Sequence, residues 1–290
     1  MGDTIGGRWA IVSALGLLTG LSGLLGCEPK ATGPAIVVAP SISRDEALAL
    51  VRRHNANAEK IEVVWCRLAI DLAWQEDGRR RRESGDGVLV YRKPGELALT
   101  VGKLGQEGLW AGGDGERYWM FDLREDVAWV GRETGLAEGR GGLPLPVQPA
   151  DVARLLGWAP LDEASVERGS LISLGGRVLV EPRDEAGRAT GRYVFEPDAV
   201  PPTRVDVLDK GGASIVTSRL SDPRRVAVSA GEAATFMTGV EIAVSDGSAT
   251  MSMRVRGIET DGRRVRDAAF DLDRLMRAHR PERVIDVDEP

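Results

Sequence analysis

The sequence predicts a mainly β (α+β) protein: a strongly curved, half-open antiparallel barrel with two or three helices on its concave side. Three observations lead to this fold class. Apolar residues alternate with period two over long stretches, Gly, Pro and Asp separate those stretches at short intervals, and helical patterns are few. Because a flat sheet with so few helices would leave many apolar faces uncovered, a sheet that partly closes on itself buries them best.

The first predicted element is a helix that begins after Ser43 and runs to about Asn55. Ser43 and Glu46 have the spacing of a capping box, in which each side chain hydrogen-bonds the backbone N–H of the other residue. The apolar residues that follow fall on one broad side of this helix. They are Ala47, Leu48, Leu50 and Val51.

A long strand follows this helix. Its apolar positions alternate without interruption: Val64, Cys66, Leu68, Ile70, Leu72 and Trp74. The opposite positions include Arg67, Asp71 and Gln75, which predicts one buried face and one hydrated face.

Shorter strands lie on both sides of a central helix. The first group is GVLVYRKPGELALTVG, GLWA, RYWMFDL and VAWVG, which predict an antiparallel meander. PADVARLLG predicts the helix, because Pro149 suits a first helical turn and Gly157 suits the exit. The second group is SLISLGGRVLVEPRD, TGRYVFEP and TRVDVLDKGGASIVTSRL.

The clearest hairpin lies near the end of the chain, around the turn at residues 245–248. Its two apolar alternations are Val240, Ile242, Val244 and Met251, Met253, Val255. We predict a short helix over about Leu272–Arg280 and a last strand over Val284–Val287.

An apolar run covers residues 10–25 and is followed by Gly26 and Cys27. It is short for a membrane span, which needs about 20 residues, and it fits the apolar part of a secretion signal. The ending Leu-Leu-Gly-Cys resembles the bacterial lipobox, in which the cysteine is lipidated. We therefore predict a lipoprotein signal peptide over residues 1–26, lipidation of Cys27, a tether over 27–43 and a folded domain over 44–290. An ordinary signal peptide and a single-span anchor are the alternatives.

Composition narrows the choice of partners. The net charge of −6 argues against nucleic acid, whose phosphates need a clustered positive surface. The dense basic run Arg79–Arg82 is typical of a solvated hairpin tip, with contact to anionic lipid headgroups as the alternative. With Cys27 lipidated, Cys66 has no cysteine to pair with, and we predict that its thiol is buried and inert.

Residues that would indicate catalysis or metal binding are sparse. His54 and His279 are far apart without neighbouring cysteines, so we expect surface histidines and no metal site. The chain lacks the Gly-x-Ser-x-Gly signature of many hydrolases, and its glycine clusters lack the context of a phosphate loop. We therefore expect a binding protein without catalytic residues or cofactor. An envelope hydrolase with a diffuse active site is a further alternative.

Several stretches resemble the LolA/LolB lipoprotein-carrier superfamily, which also includes lipid-binding lipoproteins of the LppX/LprG type. They are HNANAEKIEVVWCRLAIDL, VLVYRKPGELALTV, LWAGGDGERYWMFDL, PADVARLLGW and AFDLDR with RVIDVD, and together they span most of residues 44–290. The resemblance implies an unclosed antiparallel barrel, capped by helices, around an apolar cavity that accepts acyl chains. The sequence does not place the family's lid-latching arginine or the exposed loop leucine of its membrane-anchored acceptor.

Aromatic and apolar residues on the predicted strands are candidates for the wall of such a cavity. These are Leu68, Ile70, Leu72, Trp74, Trp110, Trp119, Trp129, Met251 and Met253. The alternative is that they are plain core of a barrel or sandwich.

The predicted function is that of a lipid-anchored lipoprotein of the bacterial cell envelope, with its domain facing the periplasm and the outer membrane favoured over the inner. The domain would bind lipid, lipoprotein acyl chains or another apolar ligand. The alternative is a periplasmic sensor or scaffold that binds a protein partner through the same fold.

Overall fold

A single open sheet organises the fold. The computed structural model describes residues 42–76, 78–133, 147–229 and 231–288, which belong to one unit of the chain, Ala39–Pro290. Cys27, the predicted signal peptide and nearly all of the predicted tether lie outside the described residues. The sheet has fourteen strands and is curved, so the predicted fold class is confirmed.

The strands fall into two groups along the chain. The first group is β1 (Val63–Glu76), β2 (Arg79–Arg92), β3 (Glu96–Lys103), β4 (Gln106–Asp114), β5 (Arg117–Asp122) and β6 (Val127–Arg132). The second group is β7 (Ser170–Leu174), β8 (Arg177–Glu181), β9 (Arg192–Phe195), β10 (Arg204–Leu208), β11 (Ser214–Ser229), β12 (Glu232–Val244) and β13 (Ala249–Glu259). A last strand, β14 (Arg283–Asp286), follows the helices at the end of the chain.

Each group is an antiparallel meander, and the two meanders meet in the middle of the sheet. Strand β1 pairs with β13 as well as with β2, so the sheet order is β14-β6-β5-β4-β3-β2-β1-β13-β12-β11-β10-β9-β8-β7. Only β14 runs parallel to its described neighbour, β6. The ends of the sheet are therefore β14 and β7.

Within the described ranges, four α-helices accompany the sheet: α1 (Arg44–Glu59), α2 (Pro149–Leu155), α3 (Glu163–Arg168) and α4 (Leu272–His279). Helices α1, α2 and α3 contribute Leu50, Leu155 and Val166 to the largest core cluster. We call the side of the sheet that carries this cluster the main-core face. Helix α4 packs on the other side against Trp119 and Phe121, and we call that side the α4 face.

Helix α1 begins as predicted but ends later. The Ser43 hydroxyl accepts from the Glu46 N–H at 3.3 Å, and the Ser43 N–H donates to Glu46 Oε2 at 2.8 Å, which confirms the capping box. The helix continues past the predicted end at Asn55 to Glu59. The sequence pattern misplaced this end because Asn55 and Asn57 serve tertiary contacts instead of terminating the helix.

These two asparagines attach α1 to distant parts of the chain. The Asn55 amide donates to the Leu161 carbonyl and accepts from the Leu161 N–H, both at 2.8 Å. Asn57 makes the same pair of bonds with Thr235 of β12, at 2.9 and 2.7 Å. Each side chain thus satisfies both backbone groups of one residue, as a neighbouring strand would.

Of the remaining three helices, two were predicted from the sequence and one was not. Helix α2 lies where it was expected, and α4 starts at the predicted Leu272 and ends at His279. Helix α3 was not predicted, although Asp162 caps it by accepting from the Ser165 N–H at 2.9 Å. Among the described residues, no helix combines the length and the hydropathy that a membrane crossing requires.

Candidate functional site

Most of the predicted wall residues lie on the main-core face. Strand pairing places Leu72 opposite Met251 and Ile70 opposite Met253, and residues directly opposite each other share a face of the sheet. Alternation along the strands adds three more to the same face. The residues on this face are Leu68, Ile70, Leu72, Trp74, Trp129, Met251 and Met253.

Trp110 and Trp119 lie on the α4 face, so their assignment to the same wall is wrong. Trp110 is opposite Phe121, and Trp119 packs with Phe121 beneath α4. The sequence could not separate the faces here because β5 is apolar on both sides: Tyr118 and Met120 are buried on one, Trp119 and Phe121 on the other.

Burial divides the wall residues on the main-core face into two groups. Leu68, Ile70 and Met253 are 2 to 5% exposed and belong to the largest core cluster. Leu72, Trp74, Met251 and Trp129 are half-buried, and Trp129 lies apart from the other three on β6. Ile242, which lies opposite Met251 on β12, is half-buried as well. We call the set Leu72, Trp74, Ile242 and Met251 the apolar strip.

The rest of the main-core face is filled by large side chains. Trp158, which follows α2, is fully buried, with its ring 6.0 Å from that of Tyr91 and 5.7 Å from that of Phe236, measured between centroids. Helix α2 contacts β3 and β4 of the first meander and β10 of the second, so it bridges the two halves of the sheet. The main-core face therefore has a filled part around Trp158 and half-buried apolar residues beside it, which include the apolar strip.

On β2, the exposed residues Glu83 and Arg81 lie opposite Leu72 and Trp74 of the strip, and glycines follow opposite the core residues of β1. Gly85 and Gly87 lie opposite Ile70 and Leu68. A Cβ atom at Gly87 would lie 2.6 Å from the Thr100 carbonyl oxygen and 3.3 Å from Ile70 Cδ1. Glycine is thus required here for the close approach of neighbouring groups.

A buried polar cluster lies where α2 begins. Tyr118 and Gln148 are 1% and 5% exposed, and neither the Tyr118 hydroxyl nor Gln148 Nε2 has a hydrogen-bond partner among the described residues. Glu133 Oε1 is also buried without such a partner. Gly113 leaves room for this carboxyl group, since a Cβ there would overlap Glu133 Oε1.

The surroundings change the acidity of this cluster. Burial, reinforced by the negative charges of Asp114 and Asp151, raises the pKa of Glu133 to about 7. Burial also raises the pKa of Tyr118 to about 12, with smaller contributions from Asp288 and Asp286. Glu133 is therefore a carboxyl group that changes its charge close to neutral pH.

The prediction that both histidines lie exposed on the surface is wrong. His54 is fully buried, its Nε2 lies 3.0 Å from the Ala159 carbonyl oxygen, and burial lowers its pKa to about 4. Its helical spacing from Leu50 and Val51 placed it on the apolar side of α1, a signal that could have been used. His279 is half-buried, with ring centroids 5.2 Å from Trp110 and 5.5 Å from Phe121.

Cys66 is fully buried, as predicted, and burial raises the pKa of its thiol to about 12, which keeps the thiol protonated. Within the described ranges, no three His, Cys, Asp or Glu side chains are grouped so that they could hold a metal ion.

Two clefts open on the surface away from the apolar strip. The larger, of about 830 Å³, lies over β1 to β4 and β13 and includes Trp65, Arg67 and Arg256. The smaller, of about 420 Å³, lies between the end of α1 and the β11–β12 hairpin. Of the predicted wall residues, Leu68 alone lines either of these two clefts.

An exposed leucine marks the turn between β3 and β4. Leu104 is 95% exposed and has a φ of 54°, which is unusual for a leucine. Sequence reasoning missed it, although the short polar turn between two apolar runs would have placed it at a hairpin tip. The basic run Arg79–Arg82 is exposed at the start of β2, next to the turn at Gly78, in agreement with the predicted solvated tip.

Comparison with known proteins finds similarity of fold. No family model matches the chain, and the curated proteins contain no match. A DUF1329 family protein from Desulfovibrio piger is similar with a TM-score of 0.51 and 11% identity, over 79% of this chain and 97% of that chain. Its likeness shows a shared fold alone.

Two further solved structures score lower. A LolA superfamily protein from Nitrosomonas europaea has a TM-score of 0.49 and 11% identity, over 77% of this chain and 98% of that one. A putative outer membrane lipoprotein-sorting protein domain from Vibrio parahaemolyticus has a TM-score of 0.47 and 9% identity, over 78% and 96%. The fold shared with the Desulfovibrio piger protein is an open, curved, mainly antiparallel sheet, which in the present chain carries α1, α2 and α3 on one face and α4 on the other.

Proposed function

We propose that this chain is a lipid-anchored lipoprotein of the bacterial cell envelope whose domain binds an acyl chain of a lipid or lipoprotein, or another apolar ligand, along the apolar strip. The observation that carries the proposal is that Leu72, Trp74, Ile242 and Met251 are neighbouring apolar side chains that stay half-buried beside the core cluster of the main-core face. Each acyl CH₂ group removed from water there contributes about 0.8 kcal/mol.

The chemistry of the strip suits an apolar ligand of variable shape. Met251 has a flexible, polarisable side chain that adapts to different chains, and Trp74 offers a large apolar surface. Binding is non-covalent. Movement of α2, which spans from β3 and β4 to β10, would change access to the main-core face.

The anchor would hold the domain at a membrane surface. One acyl chain binds a bilayer reversibly and two or more bind it stably, so lipidated Cys27 would attach the domain without a membrane-spanning segment. The domain would face the periplasm, with the outer membrane favoured over the inner.

Native mass spectrometry of the protein purified from its own envelope tests the binding proposal. We expect non-covalently bound lipid on the wild type and markedly less on a Leu72→Gln/Met251→Gln double variant, because both substitutions place amides in the strip. The matched control is Val284→Gln, since Val284 is 53% exposed on β14 and lies outside the strip.

Absence of lipid from the wild type, or equal lipid on all three proteins, would contradict the proposal. Capture of one specific protein partner by crosslinking, unchanged in the double variant, would favour the sensor or scaffold function instead.

Membrane attachment through Cys27 has its own test. We expect Cys27→Ser to move the protein from the membrane fraction to the soluble periplasmic fraction and to remove the acyl mass from its N-terminus. Cys66→Ala is the control, because Cys66 is buried in the domain and its loss leaves the anchor intact. Membrane retention of a cleaved Cys27→Ser protein would count against lipidation.

A further inference from the structure

The last described segment of the chain, residues 271–288, is loosely attached to the rest of the fold. It contains α4, which lies on the α4 face, and β14, which pairs with β6 at the end of the sheet. Residues 280–282 join these two elements, so neither can move far without the other. We call residues 271–288 the C-terminal segment.

Helix α4 is held by little apolar packing. The cluster that it enters is separate from the largest core cluster, and Leu272 and Leu275 are its two buried contributions. A helix of eight residues is not stable without such packing. Within the described chain, the one ion pair between α4 and the sheet joins Asp273 to Arg117 at 3.6 Å. Both side chains are mostly or partly exposed, at 69% and 44%, so this pair contributes little.

The contact between α4 and the sheet also buries polar atoms that lack hydrogen bonds. Trp110 Nε1, Trp119 Nε1 and His279 Nε2 are buried without a partner among the described residues. The His279 ring lies 5.2 Å from the Trp110 ring, and Trp119 packs in the same cluster as Leu275. Water could hydrogen-bond these atoms once α4 had moved away, so opening of this contact recovers part of its cost.

Strand β14 is a weakly held edge of the sheet. All four of its residues are exposed, Val284 by 53%, and its described neighbour is β6 alone. The two strands are parallel, and parallel pairing is slightly less stable per residue than antiparallel pairing. After β14, the Val287 N–H donates to the Val130 carbonyl at 2.9 Å, and the Arg132 N–H donates to Asp288 at 2.6 Å. These bonds all lie along one edge and can therefore break together.

Phe270, directly before the C-terminal segment, is firmly held. Its side chain is 4% exposed and packs with Val90 and Ala98. The Arg92 guanidinium lies 4.9 Å from the Phe270 ring centroid and pairs with Asp267 at 2.7 Å. The chain thus has a fixed point at Phe270, followed by a loosely held segment.

We propose that the C-terminal segment is a latch that opens as one unit about Phe270 while the rest of the sheet stays folded. Segments with few buried apolar contacts and exposed backbone hydrogen bonds open in this way. The open state uncovers the aromatic surface of Trp110, Trp119 and Phe121 and frees the β6 edge. The latch therefore controls access to a second apolar surface, on the side of the sheet opposite the apolar strip.

Hydrogen exchange of the full chain, followed by mass spectrometry, tests the latch. We expect α4 and β14 to share one protection factor, at least about tenfold below that of α2. Helix α2 is the matched internal control, because it has seven residues against eight in α4 but carries the fully buried Leu155 of the largest core cluster. Helix length alone would make α4 the better protected of the two.

Leu275→Ala tests whether α4 and β14 open together. Leu275 is 3% exposed, and its truncation should lower the protection of β14 as well as that of α4 by at least about tenfold, while β1 and β13 keep theirs. Leu104→Ala is the matched control, since it makes the same truncation at a 95% exposed position and should change none of these values. Anilinonaphthalene sulfonate, a dye for exposed apolar surface, should bind more to Leu275→Ala than to Leu104→Ala.

Three results would overturn the proposal: α4 and β14 as well protected as α2, faster exchange of α4 without β14 in Leu275→Ala, or an equal loss of protection in β1. The first is read on the wild type, so it does not depend on how the variant folds. Failure of lipid binding at the apolar strip would leave all of these measurements unchanged, which separates the two proposals.

Discussion

Replacement of Trp158 by alanine is expected to lower the free energy of unfolding by about 3–5 kcal/mol. Trp158 is fully buried between Tyr91 and Phe236, and it belongs to the cluster that joins α1, α2 and the sheet. Its removal would leave a cavity bounded by several elements that cannot collapse together. Urea unfolding followed by circular dichroism measures the loss.

Trp74→Ala is the matched control, since it removes the same side chain from a half-buried position on the same face. We expect a clearly smaller loss of stability there, because less apolar surface returns to water. Trp158→Phe should also lose less than Trp158→Ala, as it keeps a ring and removes an indole N–H that has no described partner. Equal losses in Trp158→Ala and Trp74→Ala would show that the filled part of the face is not the stabilising core.

Stability is expected to depend on pH through Glu133. Its pKa is raised to about 7 in the folded chain, above the ordinary value of 4.5. The folded state therefore holds a proton that the unfolded state has lost, and the free energy of unfolding falls as pH rises from about 4.5 to about 7. We expect Glu133 alone to contribute a loss of about 2 kcal/mol, below the full value for such a shift because Glu133 retains contact with water.

Glu133→Gln should abolish this loss and make the protein more stable than the wild type at about pH 8, as an amide stays neutral throughout. Glu125→Gln, at an exposed carboxyl group in the turn before β6, is the control and should leave the pH profile unchanged. The measurement is the difference between the wild-type and Glu133→Gln free energies of unfolding at about pH 5 and at about pH 8, in which the contribution of His54 cancels. A Glu133→Gln profile identical to that of the wild type would contradict the assignment.

His54 contributes a pH dependence of the free energy of unfolding that has the opposite sign. Burial lowers its pKa to about 4 from the ordinary 6.5, so stability is lost as pH falls from about 6.5 toward 4. In the wild type the two residues oppose each other over much of this range. Removal of Glu133 should therefore reveal a stability that rises with pH up to about 6.5.

Much of the fold was predictable because its strands have one apolar and one polar face. The alternation from Val64 to Trp74 predicted β1, and the capping box at Ser43 predicted the start of α1. Strand β5 lacks such a contrast, since Tyr118 and Trp119 are both buried on opposite faces. Period two then predicts a strand but cannot say which face a residue occupies.

The sites were harder to predict, because they depend on pairing between distant strands. Arg67 and Arg256 face each other only through the pairing of β1 with β13, and their separate sequence contexts carry no sign of it. Glu133 is similar: its burial depends on Gly113 and on the start of α2. His54, in contrast, was recognisable from its helical spacing alone.

The pairing of β1 with β13 also affects when the sheet can form during synthesis and folding. Each meander is built from hairpins between sequence neighbours, which form quickly, whereas this one seam joins residues near the two ends of the described chain. During synthesis or export, the apolar side of β1 has no partner on its β13 edge until almost the whole chain has emerged. We expect closure of this seam to set the folding rate, and the newly made chain to be most prone to aggregation just before it.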